Sequence, residues 1–507
     1  MKQRNVFSVL GVASAIALTG TQASAEQVPG EYLVKYKGSA VVSIASLKSV
    51  PMVRLMDHNP KGNLVKVKVK PETEAQALAR IMKDPNVEYV VPNAKLYAFR
   101  APVSVEAMKE QWSLSKVRAE EAWNRAGSRG SKNVVIAVID TGVDYNHPSL
   151  RPNMVAGYDF KENDSDPMDK TSQQNPGHGT HCAGIMGATG LVDGGVLGMS
   201  PVVSIMPIRF LGEDGSGDLN AAIKSVDYAI EKKVQVVSAS WGATIPRAQA
   251  GPLIEAIKRV DDAGIIFVSA AANDGKNNDN TDVFPANAGF PNSITVAASG
   301  PNDEKPQWSN YGKRTVHVAA PGLDIMSTLP NNGYNKLSGT SMATPLVSGL
   351  VALLKSIDPA LTGAQTRALL QLTGAKAEIE TACNCRVDAM SAVDTLMSKK
   401  MFVFPAAATI AKGETLQFGA YNGEAPFTFE SANTATGTIN EQGLFTAVAD
   451  GETTVTVKDA KGQVSTSLAI RVGGTGGGGG GGGQCPFQDP ALCQILCQVQ
   501  PDLPFCN

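Results

Sequence analysis

Between residues 134 and 397, short runs rich in Val and Ile alternate with stretches of helical period. The apolar runs are 134–140, 234–241 and 265–273, and helical periods cover 219–233 and 253–263. Strands that are apolar on both sides belong in a sheet covered on both faces, and their alternation with helices gives right-handed βαβ units. This pattern predicts an α/β fold with a parallel sheet and helices on both faces. Sites in such sheets form at the carboxyl ends of strands, and Asp140 ends one run while Asn273 ends another.

The rest of the 507 residues falls into flanking modules. Lys2 and Arg4, an apolar stretch over 6–18 and then Ala23-Ser24-Ala25 fit a signal peptide over 1–25, so export is expected. No later run approaches the roughly 20 apolar residues of a membrane helix. Residues 26–100 read as a small α+β unit, with strands over 31–36 and 64–70, a helix over 73–82 and a closing strand at 87–92. The α/β unit takes 101–398. Over 401–472 helical period disappears, and short alternating segments between Gly, Asn and Asp turns predict a β-sandwich. Residues 473–483 are Gly apart from Thr475, a flexible linker, and a Cys-rich tail covers 484–507.

Lys+Arg 45 against Asp+Glu 47 leaves no charge excess to suggest a nucleic-acid partner. Of seven cysteines, Cys485, Cys493, Cys497 and Cys506 crowd the tail, where export favours disulfides with three possible pairings. Zinc is the rival reading there, but no His accompanies them. The odd total leaves one thiol, and Cys182 is the candidate.

Three segments carry chemistry. Asp140 lies in Val138-Ile139-Asp140-Thr141-Gly142 at a strand end, where alone it fits a helix cap. His178 and His181 lie in Gly177-His178-Gly179-Thr180-His181-Cys182, and their spacing has no zinc-ligand partner beyond Cys182. Ser341 lies in Gly339-Thr340-Ser341-Met342-Ala343-Thr344-Pro345 ahead of a helical stretch, at or just before a helix N-terminus. Free N–H groups and the positive dipole end there favour negative charge on a substrate oxygen.

Asp-Thr-Gly, His-Gly-Thr-His and Gly-Thr-Ser-Met-Ala, in that order, resemble the subtilases, peptidase family S8, over about residues 110–398. The resemblance implies a serine endopeptidase with Asp140, His178 and Ser341 as its triad and Asn273 as oxyanion donor, needing no catalytic cofactor. It implies a substrate edge at Ser240, Trp241 and Gly242 and a pocket wall at Ala270, Ala271 and Ala272. Val283 would leave that pocket deep enough for medium apolar residues. Asp159, Glu162, Asp164 and Asp166 resemble the calcium loop of thermitase-like members and imply a structural Ca2+. A second family site is weakened by Ser149, where Asp is usual. Cys182 matches a thiol-bearing branch, beneath the catalytic His.

Residues 26–100 resemble an I9-type propeptide, which implies a folding aid and product-like inhibitor with self-cleavage between Phe99 and Lys109. Residues 401–472 resemble bacterial Ig-like modules of group 2. The expected partners are therefore protein substrates and the chain's own prosegment, outside the cell. An inactive adhesive scaffold is the competing reading, and the complete triad with Asn273 stands against it.

Overall fold

The computed structural model describes residues 26–37, 47, 50, 52–98, 111–191 and 195–473. The expected signal peptide, self-cleavage segment and Cys-rich tail lie outside the described residues.

The first unit has strands β1 (Gln27–Tyr36), β2 (Val53–Asn59) and β3 (Leu64–Val69), helix α1 (Glu74–Met82) and strand β4 (Val87–Ala98). β1 pairs antiparallel with both β3 and β4, and β2 pairs with β3. The sequence reading lacks β2, because this edge strand carries Arg54, Asp57 and His58 and stays half exposed. It also ends β4 too early, at Pro92. Proline has no N–H to give a ladder, but the β1–β4 register shifts just beyond the Tyr32–Pro92 pair, so the strand continues to Ala98. One sheet face packs Val34, Val65 and Val67 against Ala77, Leu78 and Ile81 of α1. The other face turns Leu33, Leu64, Val91, Ala94 and Leu96 toward the next unit.

That unit is built on a nine-stranded sheet. Its inner strands are β5 (Gly130–Asp140), β6 (Val202–Arg209), β8 (Val236–Ala239), β10 (Ile266–Ala270), β11 (Ser293–Ser299) and β12 (Val318–Pro321); two short strands off the sheet, β7 (Ser216–Asp218) and β9 (Trp241–Thr244), flank β4. The spatial order β12-β11-β10-β8-β5-β6 is parallel throughout, and only the edge pair Ala375–Lys376 and Cys385–Arg386 runs antiparallel. Both faces are apolar at alternate residues. Ile136 and Val138 join the core under helices α2 (His178–Gly187) and α5 (Thr340–Ile357). Ala137 and Ile139 face α3 (Leu219–Glu231) and α4 (Arg247–Asp262). Each fully buried Val, Ile or Leu contributes about 1.5–3 kcal/mol, so neither face can be turned to water. α4 starts earlier than its period suggests, because burial of Ala250, Leu253, Ala256 and Ile257 outweighs the break at Pro252.

Beyond α5 a strand-rich sandwich runs from Phe402 to Val472 around Val403, Phe418, Phe445, Val455, Val457 and Ile470. Phe402 belongs instead to the core of the α/β unit, and Tyr421 donates to Asp358 at 2.5 Å, so the junction is packed. Within the sandwich, β13 (Ala408–Ile410) pairs parallel with β14 (Ile470–Val472). Cys383 and Cys385 are bonded to each other, and Cys182 is the free, buried thiol among the described residues. Among those residues one helix, α5, is long and apolar enough to cross a membrane, and it is 89% buried inside the protein.

Candidate active site

Asp140 is the last residue of β5, and its Oδ1 accepts the Thr141 N–H at 2.7 Å and meets His178 Nδ1 at 2.7 Å. A carboxylate accepts only, so Nδ1 holds the proton and Nε2 is left as a base. That Nε2 is buried and has no hydrogen-bond partner. His178 opens α2, and Gly179 lets the helix touch the strand end, since a Cβ there would stand 2.1 Å from the Gly142 carbonyl oxygen. Asp169 ties the same two elements, accepting from Thr141 Oγ1 (2.9 Å), Thr180 N–H (2.9 Å), Thr180 Oγ1 (2.6 Å) and Asn175 Nδ2 (2.9 Å). Burial outweighs these donors and pushes its pKa up to about 6.

Ser341 is the second residue of α5, inside the helix rather than before it. Pro345 stands four residues on and has no N–H, so the Ser341 carbonyl loses its helical donor. Ser240 Oγ at 3.0 Å and Cys182 Sγ at 3.4 Å supply it instead. In return Ser341 Oγ donates to the Ser240 carbonyl at 2.9 Å. Cys182 Sγ also lies 4.0 Å from His178 Nδ1. One thiol thus touches both elements.

Burial disfavours a charged His178, yet the Asp140 carboxylate against Nδ1 holds its pKa well above 6.5. Burial pushes the Cys182 thiol up, so it stays protonated and neutral. His181, whose Nε2 faces the Asn335 carbonyl at 3.1 Å, is pushed down to about 3 by burial. It remains neutral and belongs to the packing of α2.

Asn273 follows Ala272, which holds φ at +87°, a conformation that strains a residue with a Cβ. The turn aims Asn273 Oδ1 at Thr340, whose N–H and Oγ1 both donate to it at 2.9 Å. A backbone N–H must meet an oxygen, so Nδ2 is the free end, and it is buried without a partner.

The cleft beside these groups is filled by β4. Tyr97 and Ala98 pair antiparallel with Gly242 and Trp241, while Lys95, Leu96 and Tyr97 pair with Asp218, Gly217 and Ser216. Trp241 contributes backbone, and its buried indole packs edge-on against Phe210 at 4.8 Å. Ala270, Ala271 and Ala272 are buried, and Val283 packs against Ala272 and Ala286. The opposite rim at residues 216–218 escapes the sequence reading; its only signal is the run of small residues from Gly215 to Gly217.

The four carboxylates of the acidic loop expected to hold calcium do not converge on one point in the described structure. Arg209 is ion-paired with Asp159 and with Glu162, the latter at 3.0 Å, and Lys170 also holds Glu162 at 2.6 Å. Asp159 Oδ1 accepts two loop N–H groups, Asp164 accepts the Asp166 N–H, and Asp166 accepts from Tyr145. Among the described residues the one cluster with ligand atoms mutually within 4.8 Å is Asp140, His178 and Cys182. Arg209 and Lys170 thus engage Asp159 and Glu162, and the four carboxylates are not gathered around one point.

A buried carboxylate–imidazole couple, a helix-borne serine beside it and a strand-accepting edge define a serine-type endopeptidase. Comparison with known sequences fixes its kin. The subtilase family model matches residues 131–394, and the chain belongs to that family. The fervidolysin N-terminal prodomain matches 14–93, and the bacterial Ig-like domain of group 2 matches 399–470. Thermitase of Thermoactinomyces vulgaris is 41% identical over 246 residues, 48% of this chain and 82% of its own. A thermophilic serine proteinase of Bacillus sp. (strain AK1) is 36% identical over 335 residues, 65% and 78% respectively. A thermostable alkaline protease of Halalkalibacterium halodurans is 30% identical over 375 residues, 74% of this chain and 94% of its own.

Proposed function

We propose that this chain is a secreted endopeptidase made as a precursor that cuts itself, with Asp140, His178 and Ser341 as its triad. Ser341 Oγ attacks the scissile carbonyl as His178 Nε2 takes its proton, and Asp140 fixes the Nδ1–H tautomer and stabilises the imidazolium. The oxyanion meets Asn273 Nδ2 and the Ser341 N–H at the start of α5. Collapse to an acyl-enzyme expels the amine, which takes the proton back from His178, and water then repeats the sequence in reverse.

The observation that carries this reading is the pair of buried atoms without partners, His178 Nε2 and Asn273 Nδ2. Leaving a buried donor or acceptor unmade costs about 1–3 kcal/mol each, and the tetrahedral intermediate needs both. β4 supports the rest: it lies as a strand between both rims of the cleft, as a product of its own cleavage would. The self-cleaved bond falls between Phe99 and Lys109, on the C-terminal side of the residues that pair with both rims. Medium apolar side chains suit the pocket walled by Ala270, Ala271, Ala272 and Val283.

The test is secretion of wild type beside Ser341→Ala. Wild type should yield a chain beginning after residue 98 that hydrolyses casein and takes a fluorophosphonate label. The variant should stay at precursor length, without label or hydrolysis. Secreted wild type that begins at residue 26 and still digests casein would sink the self-processing step.

A further inference from the structure

At the junction of the α/β unit and the sandwich lies a cleft of about 590 Å3, lined by none of the triad's residues. Arg247, Lys313, Arg314 and Arg367 line it, with Asp282 as the carboxylate among the lining residues. Four cations against one carboxylate leave an excess of positive charge, and none of the four forms an ion pair among the described residues. Asp282 is already engaged, accepting the backbone N–H of Arg247 at 3.2 Å.

The side of the cleft toward the sheet carries a sharper signal. His317 is 8% exposed, and its Nδ1 accepts the Thr295 N–H at 2.8 Å, so the neutral ring must carry its proton on Nε2. Nε2 faces Arg367 Nη1 at 3.3 Å. Neither atom can accept. Nη1 already gives its two hydrogens to the carbonyls of Phe290 and Ser293, each at 3.1 Å. The His317 Nε2–H is therefore a nine-tenths buried donor set against another donor, a guanidinium that forms no ion pair and has only Asp261 as a more distant counter-charge. Such a pair is completed by an oxygen that accepts from both and carries negative charge.

We propose that this cleft binds a phosphate group of two or more charges, with His317 and Arg367 at its base and Arg247, Lys313 and Arg314 around its mouth. Phosphate fits better than a single carboxylate, because four unpaired cations call for more than one negative charge and for oxygens on several sides. β13 of the sandwich forms the other wall, so a bound phosphate bridges the two units and holds them in one orientation.

The same chemistry is offered by free phosphates and by lipid headgroups, and two arms separate them. In the first, pyrophosphate is titrated calorimetrically into the full chain carrying Ser341→Ala, which prevents self-digestion, at physiological salt. Saturable one-to-one binding is expected. It should weaken at least about ten-fold in Arg247→Ala/Lys313→Ala, which alters only mouth residues, and further in Arg367→Gln, since a charge-assisted hydrogen bond is worth about 1.5–3 kcal/mol. Thermal melting of each variant without ligand checks that it is folded. In the second arm, phosphatidylcholine vesicles containing phosphatidic acid are sedimented with the same proteins. Vesicle binding lost in the mouth variant and competed by pyrophosphate assigns a headgroup; pyrophosphate binding without vesicle binding assigns a free phosphate. Absence of saturable pyrophosphate binding overturns the proposal, as does equal affinity in the folded mouth variant.

Discussion

Two polar clusters sit near the carboxyl ends of β5 and β6, and they are finished differently: in the one around Arg209 the charges are paired, with Arg209 Nε as its one buried atom without a partner. In the loop over 159–166, Arg209 and Lys170 and the loop's own N–H groups meet the carboxylates of Asp159 and Glu162. Around Asp140, His178 and Asn273, three buried polar atoms have no partner: Asp140 Oδ2, His178 Nε2 and Asn273 Nδ2. Satisfied charge stabilises a structure; unsatisfied polarity held in place by packing is available to a reacting molecule. Residue types alone do not separate the two clusters, since both read as carboxylates near strand ends.

The contrast can be broken most severely at Ser341 and His178. Ser341→Ala should lower kcat roughly 10^6-fold, the size of the loss known for the same change in subtilisin, while the melting temperature hardly falls; His178→Ala should lower kcat as far and also cost stability, because it strands the buried Asp140 carboxylate. Arg209→Met should do the reverse of Ser341→Ala. It strands the buried Asp159 carboxylate and should lower stability by about 3–5 kcal/mol, read by urea unfolding, with kcat of the folded fraction unchanged. A large loss of kcat with intact stability would erase the distinction between the clusters.

Asn273→Ala should reduce kcat roughly 10²–10³-fold with KM little changed, again a size known from subtilisin, because its amide serves the intermediate and not the bound substrate. The pH profile sharpens the same point. His178 must be neutral to take the Ser341 proton, and Asp140 holds its pKa well above 6.5. kcat/KM should therefore climb about ten-fold per pH unit on the acid side, with its midpoint on the alkaline side of 6.5. A midpoint below 6.5 would contradict the Asp140 couple. The smallest effect is expected at Ala272→Gly, which relieves the positive φ before Asn273 and should stabilise the fold by about 1 kcal/mol while loosening the oxyanion donor. Equal stability of variant and parent would show that Ala272 stores no strain.

What the sequence discloses follows the range of the interactions. The α/β layering, the sandwich and the two triad-bearing helices rest on local period and short motifs, and residues 134–140, 178–184 and 339–345 carry them openly. Arg209 lies 50 residues from Asp159, and nothing near either reveals the pair. The strand β2 is hidden by its exposed outer face, and the length of β4 by Pro92. Pro345 reads as a residue of the first helical turn; only the fold shows that it frees the Ser341 carbonyl for Ser240 and Cys182.

The placement of β4 has one more meaning. Because Lys95 to Ala98 lie in register with both rims, the chain itself holds a specimen strand in the cleft. Leu96 is fully buried and Tyr97 is 37% exposed, so the specimen is read at alternate letters. A peptide library should return a Leu-sized apolar residue at the position of Leu96 and almost anything at that of Tyr97.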